Sequence, residues 1–212
     1  MSKADEQVLC KWVTDPEYFI PSMKMLQNGE NYSWQKRIDC ETDEQYKQLI
    51  PYVVLYDIKK DVYLGYYRKA GDARLLGSLS IGVGGHINPC DSSQGNSIIS
   101  TYPMVLNNIN RELSEELGTR YTPPYDWWSY FRGFIYDPST SVGKVHVGLL
   151  FLRHMNLDST WEFEDNEHIF KLVTHEQLLD NYLSLETWSQ IATDLITKKT
   201  NDKFYRSLHA LQ

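Results

Sequence analysis

Residues 101 to 118 constrain the fold most, because they carry an amphipathic helical pattern. Its apolar residues recur at helical spacing, at Leu106, Ile109, Leu113 and Leu117. At about 100° per residue, all four lie within about 40° of Leu113 around the helix axis. Pro103 suits the first turn of a helix, and Gly118 suits a left-handed stop at its end. The segment therefore predicts a helix that packs one apolar stripe against a core.

Three glutamates lie beside this stripe. Glu116, Glu112 and Glu115 fall at about −60°, −100° and −160° from Leu113, so they occupy one continuous arc. Glu112 and Glu116 are four residues apart, and like charges at that spacing weaken a helix by about 0.2–0.5 kcal/mol. A divalent cation such as Mg²⁺ or Mn²⁺ offsets this repulsion, since these ions prefer carboxylate oxygens. Acidic helix faces are often only solvated, so the arc indicates a metal site only together with other features.

Runs rich in β-forming residues surround the helix. They are residues 52–56, 62–67, 75–87, 127–136 and 144–153. The first two flank a polar turn and predict a hairpin, as do the last two. The middle run ends in Gly84-Gly85-His86, which indicates a close approach of backbone or ligand. A second helix is predicted over residues 187–197. Strands, helix, strands and helix in this order predict an α/β fold, with a mixed β-sheet between helices.

The acidic helix resembles the Nudix signature, G-x5-E-x7-R-E-U-x-E-E-x-G-U, in which U is apolar. The second half of the signature is matched by Arg111, Glu112, Leu113, Glu115, Glu116 and Gly118. The first half departs, because Gly85 lies 26 residues before Arg111 and about a dozen residues are inserted. The first glutamate position falls on Asp91 when counted from Gly85, and on Pro103 when counted back from Arg111. Residues 45 to 195 are similar to a Nudix subgroup with an extended Gly-Gly-His loop.

The resemblance implies the Nudix α/β/α sandwich and a metal-dependent pyrophosphohydrolase. Such an enzyme cleaves the diphosphate of a nucleoside diphosphate linked to another moiety, with Mg²⁺ or Mn²⁺ as cofactor. Position matching makes Glu112, Glu115 and Glu116 the metal ligands, with Glu115 also in the catalytic set. A backbone carbonyl at Gly84 or Gly85, with Gly85 the candidate ligand, completes the metal shell. Arg111 orients a helical glutamate, and the first glutamate of the signature usually orients that arginine.

Residues outside the signature are candidates for the remaining roles. Glu164 and Glu167, in an acidic loop, are the candidate general bases, although such loops are often only solvated. The substrate-binding candidates are Arg68, Arg74 and His86. For His86, binding to phosphate or to a metal is open, and a hydrogen bond to a nearby backbone group is an equally good interpretation. Trp127 either stacks on a base or packs in the core.

Composition limits the partners and the compartment. A net charge of −7 argues against a protein that binds duplex nucleic acid. Three cysteines at wide spacing match neither a disulfide framework nor a zinc site. Without a signal peptide or a membrane-length apolar stretch, the chain is expected to be cytoplasmic, with no membrane partner. We expect a small-molecule nucleotide as substrate, and a homodimer is left open.

The chain is expected to have one main domain. Residues 1–48 are predicted to be an N-terminal extension packed on a Nudix domain at residues 49–212, with one or two helical turns at residues 43–50. Two alternatives to a hydrolase remain at this stage. One is an inactive Nudix-fold nucleotide sensor, which has no need of the metal carboxylates. The other is an isopentenyl-diphosphate isomerase, which requires a catalytic cysteine; Cys90 is near, but its surroundings do not match.

Overall fold

The structure is a computed structural model that describes residues 6–27, 30–69, 77–92, 101–118, 126–164 and 167–200. Its strands are β1 (Gln7–Trp12), β2 (Tyr32–Lys36), β3 (Tyr46–Asp57), β4 (Val62–Arg68), β5 (Leu79–Ser80), β6 (Gly82–Gly84), β7 (Phe131–Ile135), β8 (His146–His154), β9 (Phe163–Glu164) and β10 (His168–Thr174). Its α-helices are α1 (Lys24–Gln27), α2 (Arg37–Cys40), α3 (Thr101–Leu117), α4 (Ser141–Val145), α5 (His175–Asp180) and α6 (Thr187–Thr200).

The chain divides into two compact units. The first comprises Met1–Val53 and Val83–Phe151, and the second comprises Val54–Gly82 and Leu152–Gln212. The sequence predicted a boundary between an N-terminal extension and the Nudix domain at residues 48 and 49, which lie within strand β3. That domain boundary stays a prediction. Over the described residues, no helix is long and apolar enough to span a membrane.

In the first unit, β1 pairs antiparallel with both β2 and β3, and β7 pairs antiparallel with β8. Residues 43–50 were predicted to be helical, which is wrong, because β3 begins at Tyr46. The strand was not predicted because Lys47 is charged, and a charged side chain is not expected to be fully buried, as this one is. The buried ammonium donates to the carbonyl oxygens of Glu44 and Lys144, at 2.8 and 2.6 Å, and burial lowers the pKa of Lys47.

Helix α3 lies in the first unit, and the helix predicted for residues 101–118 is confirmed. Gly118 follows it with a φ of +56°, as a left-handed C-terminal stop requires. The buried apolar residues are Met104, Val105, Ile109, Leu113 and Leu117. Leu106, predicted in the buried stripe, is only half-buried. In the first half of the helix burial instead reaches Met104 and Val105, because α1 packs there: Thr101 Oγ1 donates to the carbonyl of Leu26. The second half keeps the narrow stripe and leaves the acidic arc available.

In the second unit, β4 pairs antiparallel with β10 along its whole length and with β5 at its end. The predicted hairpin is confirmed, since Tyr56 at the end of β3 pairs with Tyr63 of β4. Thr174 caps α5 by accepting a hydrogen bond from the backbone N–H of Gln177. Helix α6 is tied to β5 through Glu186, whose carboxylate accepts from Ser80 Oγ at 2.6 Å. Strands and helices in both units make the chain α/β, as predicted.

Candidate functional site

Arg111 lies at the centre of a cluster of carboxylates in the first unit. Its Nε donates to Asp91 Oδ1 at 2.9 Å, and its Nη2 donates to Asp91 Oδ2 at 3.0 Å. This two-bond geometry matches the planar guanidinium to the carboxylate. Asp91 is 2% exposed, and its Oδ2 also accepts from the backbone N–H of Asn88 and from Asn108 Nδ2. The arginine is therefore anchored to a buried acid with little freedom.

Asp91 resolves the ambiguity in the first half of the signature. Of the two positions that counting allowed, Asp91 contacts the arginine, whereas Pro103 is an exposed residue of α3. An aspartate thus replaces the first glutamate in the contact that the resemblance assigns to it. Asp91 ends a short 3₁₀ turn, Pro89–Asp91, at the expected distance from Gly85. The inserted residues therefore fall between this turn and α3, where residues 93–100 lie outside the described part of the chain.

Glu112 packs directly against the backbone of Gly85. A Cβ atom at Gly85 would lie 2.2 Å from both the carboxylate carbon and Oε1 of Glu112, so only glycine permits this contact. Glu112 Oε1 lies 2.8 Å from Arg111 Nη1, and its side chain is 16% exposed. Burial raises the pKa of Glu112, with Arg111 opposing this effect and the charges of Glu115 and Asp91 adding to it. The carboxylate therefore bears a desolvation cost that Arg111 offsets only in part.

The other two glutamates of the arc are more accessible. Glu115 is 59% exposed at its side chain, and its Oε2 lies 3.3 Å from Arg111 Nη1. Glu116 is half-buried. One largely enclosed and two more accessible carboxylates on one helix face are hard oxygen donors of the kind that Mg²⁺ and Mn²⁺ prefer. The raised pKa of Glu112 and the close approach of Gly85 fit a cation at this position, although the metal ligands themselves stay a prediction.

The candidate bases and phosphate contacts lie elsewhere in the chain. Glu164 is exposed in β9 of the second unit and forms an ion pair with Lys69 at 2.6 Å. Glu167 is exposed in the same unit. Arg68 lies in β4, where its Nη2 donates to the hydroxyl of Tyr66 at 3.0 Å. Arg74 is outside the described residues. The functional roles of these four residues stay predictions.

His86 has separate backbone and side-chain contacts within the first unit. Its carbonyl accepts from Asn108 Nδ2 at 2.8 Å and from Arg111 Nη2 at 3.1 Å. Its ring Nε2 lies 3.2 Å from His146 Nε2. Burial, followed by the charges of Arg37 and His146, holds the pKa of His86 well below its ordinary value. Burial also lowers the pKa of His146, although the hydrogen bond to the carbonyl of Val142 opposes this shift. Both imidazoles are therefore neutral at pH 7.

Sequence reasoning missed this pair, because 60 residues separate its members and no spacing rule joins them. The position of His86 directly after two glycines was the only signal. For Trp127, the core interpretation is confirmed: it is 2% exposed, and its Nε1 donates to Asn110 Oδ1 at 3.0 Å.

Comparisons with known proteins bear on the family and the fold of the chain. Protein YmaB of Bacillus subtilis is 34% identical over 178 residues, which cover 81% of this chain and 82% of that protein. The crystal structure of Tm1382, provisionally named a Nudix hydrolase, matches 90% of this chain and 98% of its own with a TM-score of 0.65, at 24% identity. DR0079 from Deinococcus radiodurans gives a TM-score of 0.49 at 14% identity, over 90% of this chain and 98% of that one, and carries no weight here. No family model matches the chain.

The two kinds of likeness support two different statements. The identity with Protein YmaB extends over most of both chains, which establishes common family membership. The likeness to Tm1382 establishes the fold, and the predicted Nudix resemblance is confirmed at that level. The chain therefore belongs to the family of Protein YmaB, and its fold is the Nudix fold.

Proposed function

We propose that this chain is a Mg²⁺- or Mn²⁺-dependent hydrolase that cleaves the diphosphate linkage of a nucleoside diphosphate joined to another moiety. The observation that carries the proposal is the pairing of Arg111 with buried Asp91 beside the Glu112, Glu115 and Glu116 arc. An acidic helix face that was only solvated would not need a buried acid to hold its arginine. The likeness in fold to Tm1382, provisionally named a Nudix hydrolase, supports the same reaction class.

Each residue of the cluster has a distinct task in this proposal. Glu112, Glu115 and Glu116 would hold the cation, with the Gly85 carbonyl as a further ligand. When bound there, it would supply charge neutralisation for phosphate oxygens and a lower pKa for the attacking water. Asp91 holds the guanidinium of Arg111 through two hydrogen bonds. Arg111 in turn positions the carboxylates of Glu112 and Glu115, which lie 2.8 and 3.3 Å from its Nη1.

The composition of the cluster supports a cation site. One cationic side chain, Arg111, faces four acidic side chains, those of Asp91, Glu112, Glu115 and Glu116. The single guanidinium does not remove the cost of burying Glu112, whose pKa stays raised. A divalent cation beside Glu112 compensates that cost, because opposite charge in a partly desolvated site favours the ionised carboxylate.

The remaining roles follow from the sequence and are proposed with it. Glu164 and Glu167 are the candidate general bases, and Arg68, Arg74 and His86 are the candidate contacts to substrate phosphates. The substrate is a small-molecule nucleotide, and the working compartment is the cytoplasm. A base should be recognised by a variant such as Glu164→Gln that lowers kcat but leaves Mn²⁺ affinity unchanged.

The proposal is tested with a panel of nucleoside-diphosphate compounds, each assayed with Mg²⁺ and with Mn²⁺. Wild type is compared with Glu116→Gln and with Glu176→Gln, a control that removes an exposed glutamate from the first turn of α5. We expect turnover of at least one compound by wild type and by the control, with a loss of about 100-fold or more in Glu116→Gln.

Two results would contradict the proposal in different ways. Tight nucleotide binding without turnover of any compound would indicate a sensor and reject the hydrolase. Equal turnover by Glu116→Gln and Glu176→Gln would reject the metal ligands while leaving the reaction open.

A further inference from the structure

We propose that Glu41, His86 and His146 form a second metal site in the first unit, selective for zinc and separate from the glutamates of α3. One ligand atom from each of these residues lies within 4.8 Å of the other two. The inference does not rest on the proposed hydrolase activity. It concerns nitrogen donors, which attract a different class of metal from the carboxylates of α3.

The spacing of the two imidazoles matches a zinc site. Their Nε2 atoms are 3.2 Å apart. Zinc binds histidine nitrogen at about 2.0–2.1 Å in a tetrahedral arrangement, which places two such nitrogens about 3.3 Å apart. The pair is therefore already separated by nearly one edge of a zinc tetrahedron. Two imidazoles and one carboxylate make up a three-ligand set of the kind that leaves a fourth position open for water.

The orientation of His146 suits a metal ligand. Its Nδ1 lies 2.8 Å from the carbonyl oxygen of Val142. A carbonyl oxygen only accepts, so Nδ1 carries the proton and Nε2 presents its lone pair towards His86. Histidine ligands are typically fixed in this way, with the second ring nitrogen donating to a carbonyl or carboxylate. His146 is 5% exposed, so its orientation is also fixed by packing.

Glu41 supplies negative charge and access to the site. Its Oε1 pairs with Arg37 Nε at 3.1 Å, and its side chain is 37% exposed. Arg37 pairs with Glu6 as well, at 3.0 Å. One arginine thus pairs with two carboxylates, so the negative charge of Glu41 is only shared with Arg37 and not fully neutralised by it. Because a carboxylate has two oxygens, Glu41 can pair with Arg37 and bind a metal at the same time.

A bound zinc ion would join three segments that are distant in sequence. Glu41 follows α2, His86 follows the two glycines, and His146 begins β8. The carbonyl of His86 accepts from Arg111, so the same residue is held on its other side by the carboxylate cluster. Zinc bound there would connect the N-terminal part of the first unit to the segment that carries Gly85.

The test is a calorimetric titration of the full-length, chelator-treated chain with Zn²⁺ in the presence of excess Mg²⁺. Excess Mg²⁺ occupies carboxylate sites without competing for imidazoles. We expect one tightly bound zinc ion per chain in wild type and in Glu116→Gln. In His146→Asn, zinc affinity should fall by more than the roughly 10–100-fold that loss of an outer-shell partner causes. His154→Asn, which removes an exposed histidine of β8, is the matched control and should retain wild-type affinity.

Cobalt gives a second readout that does not depend on affinity alone. Co²⁺ in place of zinc should show the intense visible absorption of four-coordinate cobalt in wild type, and this absorption should be absent in His146→Asn. Glu41 is half-exposed, so Glu41→Gln should weaken zinc binding with an unchanged circular dichroism spectrum. This variant provides the test of the site if His146→Asn fails to fold.

Three results would overturn the proposal. The first is that wild type binds no zinc under these conditions, so that His86 and His146 form only a hydrogen-bonded pair. The second is equal zinc binding by wild type, His146→Asn and Glu41→Gln. The third is zinc binding that is lost in Glu116→Gln but kept in His146→Asn, which would place it at the α3 glutamates. Failure of the nucleotide panel would leave the zinc result unaffected, so the two proposals fail independently.

Discussion

Gly85→Ala should disable the carboxylate cluster without unfolding the chain. The new Cβ would lie 2.2 Å from Oε1 of Glu112, whereas ordinary contacts begin at 3.4 Å. The carboxylate must therefore retreat by about 1.2 Å. A displacement of about 1 Å in a catalytic group costs on the order of 100-fold in rate, which is about 2.7 kcal/mol of transition-state stabilisation. We expect that loss in kcat/KM, and a loss of about tenfold or more in Mn²⁺ affinity.

The stability of the same variant should change little. The clash involves the end of a flexible side chain, which can rotate away. Gly85 is not among the glycines with positive φ, so alanine fits its backbone and stabilises the chain by about 0.4–1 kcal/mol through the unfolded state. Mn²⁺ affinity is measured by electron paramagnetic resonance, which needs no substrate, and Tm by scanning calorimetry.

Gly84→Ala is the matched comparison, because its clash is with backbone. A Cβ at Gly84 would lie 2.1 Å from the carbonyl oxygen of Pro51 in β3, which cannot move without disturbing the strand. This variant should lose about 1–3 kcal/mol of stability, or about 2–4 °C in Tm for each kcal/mol. Wild-type Mn²⁺ affinity in a folded Gly85→Ala chain would refute the reasoning. So would equal losses of Tm in the two variants.

Three further outcomes are expected. Asp91→Ala removes the buried partner of Arg111 and should lower the free energy of unfolding by about 3 kcal/mol. This is the lower end for a broken buried ion pair, because Arg111 is 23% exposed. An unchanged urea midpoint would contradict the prediction. Because burial raises the folded-state pKa of Glu112, its stabilising contribution is present at low pH and lost as pH rises through that pKa. Metal-free Glu112→Gln should therefore exceed wild type in Tm at pH 7 but not at about pH 4, and a pH-independent difference would contradict it. Thr174→Ala removes the cap of α5 and should lower Tm by about 2–4 °C, which thermal melts monitored by circular dichroism would measure.

Local sequence patterns were sufficient to predict the helices and strands whose signals lie within one continuous segment. The period of Leu106 to Leu117 and the final Gly118 predicted α3, and the polar turn before Val62 predicted the hairpin of β3 and β4. These features depend on backbone geometry and on side-chain spacing along a single element, and both can be read in sequence order. The acidic arc of α3 belongs to the same class, since Glu112, Glu115 and Glu116 share one face of one helix.

Features that depend on distant partners could not be predicted in this way. Lys47 is polar and breaks the strand pattern, yet β3 buries it because carbonyl oxygens of Glu44 and Lys144 receive its ammonium. Counting along the chain left Asp91 and Pro103 as equal candidates. Only the contact across an insertion identified Asp91 as the residue that holds Arg111.

Sequence alone determined that this chain has an acidic amphipathic helix, a Gly-Gly-His segment and the strands of an α/β fold. Tertiary structure decided which acid anchors Arg111, why Gly85 must be glycine beside Glu112, and that Glu41, His86 and His146 lie together. The physical reason is the range of the interactions. Helical and strand periodicity act over a few residues, whereas a desolvated ion pair or a cluster of ligands depends on which segments the fold brings into contact.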